Sequence, residues 1–236
     1  MSAGALAFRS HRDAREPAAV RWLPPRDGDP WTRFELTSRG DRVSGRLRQP
    51  PDGGPHPWVV VAAPDTTAWP DTPGLAVLTA DLPLLGERAS PKWTRRLRHC
   101  LADGPAGATD EALLHEFRSQ AVADLRQLVA VGVGREDLAR DRFGFAGTGA
   151  GAWVGAALRA AEPGPRAAVL APGNLAEALC PREDLAASGA ELILVEAEAE
   201  DRVAQWASCA GPDVRLERAA KDPLETALTI LGRALA

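Results

Sequence analysis

A run of alternating glycines in the second half of the chain restricts its fold more than any other feature. Gly147, Gly149 and Gly151 follow the apolar segment 142–146 and precede an alanine-rich stretch. Because glycine has no Cβ, such a run permits a sharp turn in which ordinary side chains would collide. The pattern therefore predicts a strand, a tight turn and a helix that continues to about Ala161.

The other apolar segments alternate between strand and helix patterns. Residues 58–63 form an unbroken, largely β-branched run, which is typical of a strand buried on both faces. Residues 33–38 and 42–47 predict an antiparallel hairpin, and residues 81–110 are polar with few periodic apolar positions. Further strands are predicted at 74–80, 142–146, 166–171, 191–195 and 214–217, and helices at 111–131, 175–188, 202–209 and 223–235.

This alternation predicts an α/β protein, with a mostly parallel central sheet of about eight strands and helices on both faces. The length of 236 residues fits one domain, which we assign to residues 31–236. Residues 1–30 hold several prolines among mixed charges. They are predicted to form a peripheral N-terminal arm with a short helix at 18–22.

Charge and cysteine content argue against several classes of function. The chain has 28 basic and 32 acidic residues and a net charge of -4, which argues against nucleic acid or an anionic membrane as partner. No apolar stretch approaches the length of about 18 residues that a membrane-spanning helix needs, and the N-terminus lacks a signal-peptide pattern. Three widely spaced cysteines fit neither a disulfide framework nor a zinc site. A bacterial cytoplasmic protein is expected from these cysteines and from the abundance of Ala, Arg, Gly and Pro.

The segment Gly147-Thr148-Gly149-Ala150-Gly151 resembles the nucleophile elbow of the α/β-hydrolases, Gly-x-Ser-x-Gly, except at its central residue. Residues 34–47 resemble the family's first hairpin. Residues 79–88 resemble the loop after its fourth strand in dienelactone-hydrolase-like and acetyl-xylan-esterase-like members. The resemblance covers about 31–236 and implies the α/β-hydrolase fold without a large cap domain.

The resemblance also implies a catalytic triad, most of which is replaced in this chain. In α/β-hydrolases the central elbow residue is the nucleophile, and an acid and then a histidine follow it along the chain. Gly149 occupies the nucleophile position, and Asp201 matches the acid position, with Glu200 as the alternative. The base is expected near Lys221, but no histidine follows His115. The chain is therefore interpreted as a degenerate member that cannot be an ordinary serine hydrolase.

The crevice implied by the resemblance is expected to retain groups that bind a ligand. The Ala150 N–H and an N–H of Asp65 or Thr66 are candidate donors to a carbonyl or carboxylate oxygen. Trp69 and Trp153 follow strands that border the crevice, although each tryptophan fits a core position equally well. The predicted ligand-binding residues are Asp65, Thr66, Trp69, Glu87, Thr148, Ala150 and Trp153. No cofactor is predicted, and no acidic, histidine or cysteine grouping has the spacing of metal ligands.

A dinucleotide-binding motif is the competing interpretation of the glycines, because Gly149-x-Gly151-x-x-x-Gly155 also follows a strand and begins a helix. Such a motif requires an acidic residue at the end of the next strand, where it holds the ribose. The next strand ends at Leu170-Ala171-Pro172 without an acid, which argues against NAD(P).

Four functional hypotheses are compatible with the sequence. The first is a pseudo-hydrolase that binds a small molecule, peptide or protein partner in the crevice. The second is an isomerase, epimerase, lyase or cyclase with a general base from Asp65, Glu87, Asp201 or Lys221. The third is a hydrolase in which a carboxylate activates water, and the fourth is a structural subunit, suggested by the polar segment 82–110. The sequence is compatible with a homo-oligomer and identifies neither ligand nor substrate.

Overall fold

The protein is represented by a computed structural model that describes residues 19–63, 70–162, 164–186, 191–196, 201–210, 214–219 and 222–236. The strands are β1 Val20–Trp22, β2 Thr32–Ser38, β3 Asp41–Arg48, β4 His56–Ala62, β5 Ala76–Ala80, β6 Leu138–Thr148, β7 Ala167–Ala171, β8 Glu191–Glu196 and β9 Arg215–Arg218. These nine strands of the described residues form one sheet in the order β1-β2-β3-β5-β4-β6-β7-β8-β9.

The sheet is antiparallel at its beginning and parallel over the rest. Strands β1, β2 and β3 pair antiparallel, and β3 pairs antiparallel with β5. From β5 through β4 and β6 to β9 every pairing is parallel. The β2–β3 hairpin turns through Arg39 and Gly40, both with positive φ, as two-residue hairpin turns require. The predicted hairpin and the mostly parallel sheet are therefore confirmed.

The first strand replaces a predicted helix. Val20–Trp22 was expected to lie in a short helix at 18–22, and this prediction is wrong because these residues pair with Phe34–Leu36. The Trp22 ring contacts the Phe34 ring, with the centroids 5.0 Å apart and the ring planes tilted by 57°. Three residues carry too little periodicity to distinguish strand from helix, and the free edge of β2 decides the outcome.

Six helices accompany the sheet in the described residues: α1 Pro91–Asp103, α2 Ala108–Val133, α3 Ala150–Ala161, α4 Arg182–Leu185, α5 Asp201–Ala210 and α6 Pro223–Leu235. Helix α1 lies in the stretch that lacked periodic apolar positions, and it buries only Leu97, Cys100 and Leu101. The helix predicted over 175–188 is wrong as a single element. A short 3-10 helix, Glu177–Leu179, and the four-residue α4 stand there, because Pro181 between them lacks an N–H donor.

Both faces of the sheet are buried, as the β-branched pattern of β4 predicts. Trp58, Val60 and Ala62 belong to the core between the sheet and helices α2 and α3. Val59 and Val61 belong to the core on the opposite face, which α6 covers. Side chains of a strand alternate between the two faces, so a strand buried on both is apolar throughout. No helix in the described residues is long and apolar enough to cross a membrane.

Candidate functional site

The glycine turn joins β6 to α3 at the carboxyl end of the sheet. Gly149 has φ +51° and ψ −123°, and α3 begins at the next residue. Its N–H donates to the carbonyl of Ala171 at the end of β7 over 2.8 Å, and its carbonyl accepts from Ala152 N–H over 2.9 Å. The strand, the turn and the helix therefore follow one another as predicted, without an intervening loop.

Close packing explains the two outer glycines of the turn. A Cβ on Gly147 would lie 2.5 Å from the carbonyl oxygen of Gly151. A Cβ on Gly151 would lie 1.9 Å from the carbonyl oxygen of Ala62, the last residue of β4. Both distances are far below van der Waals contact, so only glycine allows helix α3 to approach the strands this closely.

The central glycine differs from these two in its surroundings among the described residues. A Cβ built on Gly149 meets no described atom within 4 Å. Among the described residues a Cβ at the tip of the turn therefore meets no steric obstacle, while the backbone conformation is one that residues with a Cβ adopt with strain. The glycine at this position removes that strain and supplies no side chain.

The turn lies at the point where the chain changes direction across the sheet. From β4 the chain crosses to β5 on one side, and it then returns to β6 on the other side of β4. Connections that leave two neighbouring strands in opposite directions open a crevice between their carboxyl ends. Ala62 and Gly149 are at these two ends, so the glycine turn borders the crevice.

One polar group of the turn has no hydrogen-bond partner among the described residues. Ala150 is the first residue of α3, and the described residues offer its N–H no hydrogen-bond acceptor. N–H groups of a first helical turn have no partner within the helix and attract anions or carbonyl oxygens. The predicted donor Ala150 is thus placed beside Gly149.

Three other predicted ligand-binding residues lie in the described part of the chain. Thr148 is half-buried at the end of β6, where it pairs with Ala171. Glu87 is exposed in a 3-10 helix, Gly86–Arg88, and its N–H donates to the Asp81 carboxylate over 2.8 Å. Glu87 follows β5, which β4 separates from β6. The loop after β5 is thus held by Asp81, and β4 lies between the strand that precedes Glu87 and the strand that carries Gly149.

Trp153 lies between helices rather than in a loop. It is 6% exposed, its ring stacks on Phe117 of α2 with centroids 6.4 Å apart, and the Arg118 guanidinium lies 4.9 Å above it. Arg118 also forms an ion pair with Asp184 of α4. These contacts place Trp153 in the packing between α2 and α3, which is the core position that the sequence left as an alternative.

The remaining predicted residues lie largely outside the description. Asp65, Thr66, Trp69 and Lys221 are outside the described residues. Asp201 is the first residue of α5, and its side chain is not among those described. Beside Lys221, Asp222 caps α6: its carboxylate accepts from Leu224 N–H over 2.7 Å and from Glu225 N–H over 3.4 Å.

The three described histidines lie on β4, α1 and α2 and not on the glycine turn. His56 begins β4 and is therefore at the opposite, amino end of the strand that borders the crevice. The His99 ring is exposed on α1, with Nδ1 2.7 Å from the Asp103 carboxylate, and His115 is exposed on α2. Among the described residues, no group of three potential metal-ligating side chains is found.

A buried ion pair, not found from the sequence, fixes the loop after β5. The Arg88 guanidinium lies 2.5 Å from the carboxylate of Asp124 on α2, whose side chain is only 2% exposed. Gln120 also donates to Asp124 over 2.7 Å. Burial raises the pKa of Asp124, while the hydrogen bonds from Arg88 and Gln120 oppose that shift. The pair connects this loop to the long helix.

No protein-family model and no curated protein matches this sequence. Solved structures do match it in fold. Acetyl xylan esterase 1 from Thermoanaerobacterium sp. JW/SL YS485 superposes with a TM-score of 0.61 at 13% identity, over 98% of this chain and 92% of that one. A 2,6-dihydroxy-pseudo-oxynicotine hydrolase gives 0.62 at 15% identity over 88% and 68% of the two chains. The protein has the α/β-hydrolase fold.

A third solved structure leads to the same conclusion. A cold-adapted esterase from an Arctic intertidal metagenomic library superposes with a TM-score of 0.60 at 16% identity, over 92% of this chain and 100% of that one. These esterases and the hydrolase share the arrangement of strands and helices with this chain at low sequence identity. The fold prediction is thereby confirmed, including the absence of a large cap domain among the described residues.

Proposed function

We propose that this α/β-hydrolase-fold protein is a binding protein rather than a hydrolase. In this proposal it holds a small molecule or peptide in the crevice above Gly149 by a carbonyl or carboxylate oxygen. The observation that carries the proposal is the central glycine: its backbone keeps a sharp elbow at φ +51° and ψ −123°, yet it supplies no nucleophilic atom. Acyl transfer of the serine-hydrolase type requires such an atom at that tip.

The positions of the histidines support the loss of covalent catalysis. A nucleophile needs a base within hydrogen-bond reach to take its proton. His56 stands at the far end of β4, and His99 and His115 are exposed on helices α1 and α2. The base of an α/β-hydrolase would follow β9. The next described residue after Ala219 is Asp222, and its carboxylate caps α6.

The same turn supports binding of an oxygen atom. The Ala150 N–H begins a helix of 12 residues, whose N-terminus carries a partial positive charge. A carbonyl or carboxylate oxygen placed there would accept this N–H as it would in an oxyanion hole. The room left by the missing side chain of Gly149 would accommodate the atoms next to that oxygen, which in a hydrolase face the nucleophile.

A thermal-shift screen with small esters, lactones, acyl-peptides and carboxylates tests the proposal. Each compound that raises Tm is then incubated with the protein and analysed by mass spectrometry for conversion. We expect compounds that bind and are recovered unchanged, and no labelling of the protein by a fluorophosphonate probe. Conversion of a bound compound would overturn the proposal and would favour the acid–base enzyme, whose base remains to be found among Asp65, Glu87, Asp201 and Lys221.

Matched variants locate the binding site. Gly149→Leu fills the open space and should abolish the thermal shift, whereas Gly149→Ala introduces the same backbone strain with little volume and should retain most of it. Gly232→Ala on α6 serves as a distant control, because a Cβ there also meets no described atom within 4 Å. Binding that survives Gly149→Leu would show that the ligand does not occupy the space above the turn.

A further inference from the structure

Two cysteines that are distant in sequence come into contact in the folded chain. Cys180 follows the 3-10 helix Glu177–Leu179 after β7, and Cys209 is in the last turn of α5. Their Sγ atoms are 3.5 Å apart, both residues are half-buried, and both thiols are free. Neither the odd number of cysteines nor their spacing indicated this contact.

The contact lies beside a hydrogen bond that joins α5 to the 3-10 helix Glu177–Leu179. The Gln205 amide of α5 donates to the Glu177 carboxylate over 3.2 Å, one helical turn from Cys209. On the other side, Cys180 is held by its own N–H, which donates to the Glu177 carbonyl over 3.1 Å. A disulfide requires an S–S bond of about 2.05 Å, so the sulfurs must approach by about 1.5 Å.

We infer that Cys180 and Cys209 form an oxidation site, which a peroxide converts into an intramolecular disulfide between the loop after β7 and helix α5. The reaction begins when the Cys209 thiolate attacks one peroxide oxygen. The O–O bond breaks, hydroxide leaves and takes up a proton as water, and Cys209 becomes a sulfenic acid. The Cys180 sulfur then loses its proton and attacks the Cys209 sulfur. The S–O bond breaks, and a second water leaves.

Overall, the two thiols lose two electrons and two protons to form the disulfide, and one peroxide takes up both to become two waters. In the proposed order, Cys209 reacts with the peroxide, and Cys180 resolves the sulfenic acid because its sulfur lies 3.5 Å away. Burial and the neighbouring thiol raise the pKa of Cys180 to about 12, which agrees with its role as the second thiol to react.

The disulfide would affect the border of the crevice. The loop that Cys180 ends begins at Ala171, whose carbonyl accepts the Gly149 N–H. Further along this loop, Ala176 N–H donates to the Leu101 carbonyl of α1 over 2.7 Å. A covalent bond to α5 would thus hold the loop between the glycine turn, α1 and α5. This inference is independent of the proposed function, because it concerns the thiols alone.

The site is tested by treating the purified full chain with hydrogen peroxide, alkylating the remaining thiols under denaturing conditions and measuring intact mass. We expect a monomer that has lost two hydrogens and carries one alkyl group instead of three, with a Cys180–Cys209 cross-linked peptide after digestion. Reduction should restore all three alkylation sites. Closing this loop should raise Tm by about 4–16 °C, reversibly with a reductant.

Variants separate the pair from general thiol oxidation. Cys180→Ser and Cys209→Ser should each abolish the cross-link, and Cys180→Ser should accumulate sulfenic acid on Cys209. Cys100→Ser is the matched control, since Cys100 is fully buried in α1, and it should retain the cross-link. Three free thiols after peroxide treatment, a cross-link through Cys100, or disulfide-linked dimers alone would overturn the inference.

Discussion

Replacing Gly149 with alanine measures the strain that this glycine removes. A Cβ there meets no described atom within 4 Å, so steric overlap with the described residues contributes nothing to the cost. The cost is confined to the backbone, which at φ +51° and ψ −123° is strained for residues with a Cβ. Such strain is worth about 1–3 kcal/mol. In a chain of this size 1 kcal/mol corresponds to about 2–4 °C, so Tm should fall by about 2–12 °C.

Two other glycines provide matched comparisons for this variant. Gly151→Ala places a Cβ 1.9 Å from the Ala62 carbonyl oxygen, so helix α3 must move away from β4, and the free energy of unfolding should fall by more than about 4 kcal/mol. Gly232→Ala lies in helix α6, where a Cβ meets no described atom within 4 Å, and alanine there should stabilise the protein by about 0.5–1 kcal/mol. The three variants thus separate backbone strain from steric overlap.

Thermal unfolding followed by far-UV circular dichroism, together with urea titration, measures all three variants in the same buffer. From highest to lowest Tm, the order should be Gly232→Ala, wild type, Gly149→Ala and then Gly151→Ala. A Gly149→Ala variant as stable as wild type would refute the reasoning, because it would mean that the turn does not adopt the strained conformation. Such a result would contradict the elbow geometry of the turn, which is the main support for the proposed binding site.

Three more predictions concern polar side chains that form buried ion pairs or cap a helix. Arg88→Met leaves Asp124 buried without its cation and should cost about 3–5 kcal/mol at pH 7, measured by urea unfolding. Because burial raises the pKa of Asp124, this loss should shrink as the pH falls through that raised pKa and the carboxyl becomes neutral. Hydrogen bonding from Arg96 lowers the pKa of Asp110. The ionised carboxylate therefore stabilises the folded state fully above the ordinary pKa of an aspartate, and this stabilisation is lost as the pH falls through the lowered pKa. Asp110→Asn should therefore flatten the dependence of Tm on pH below about pH 4. Asp222→Ala removes the cap of α6 and should lower the free energy of unfolding by about 1 kcal/mol in the same titration.

Long or strongly patterned elements could be predicted from the sequence alone. The strand at 58–63 and the helix at 223–235 agree with the structure to within two residues. Short or weakly patterned elements could not be predicted. Strand β1 has only three residues, and α1 buries too few side chains to show a periodic stripe. Their conformations depend on partners that are distant in the chain.

The candidate site divides in the same way. The close glycine pair could be inferred from spacing, since Gly147 and Gly151 must flank any turn this sharp. The contact between Cys180 and Cys209 could not be inferred, because 29 residues and a strand separate the two thiols. The placement of Trp153 between helices was equally undecided, since its spacing fits both a crevice and a core.

The sequence by itself determined that residue 149 has no side chain and that no histidine follows His115. These are statements of covalent composition, and no folding can change them. The tertiary structure decided that Gly149 keeps the elbow conformation with no described atom within 4 Å of its Cβ position, and that Arg88 meets Asp124 across 36 residues. Such features depend on how β4, β6 and their helices pack together, and packing joins residues whose distance along the chain carries no signal.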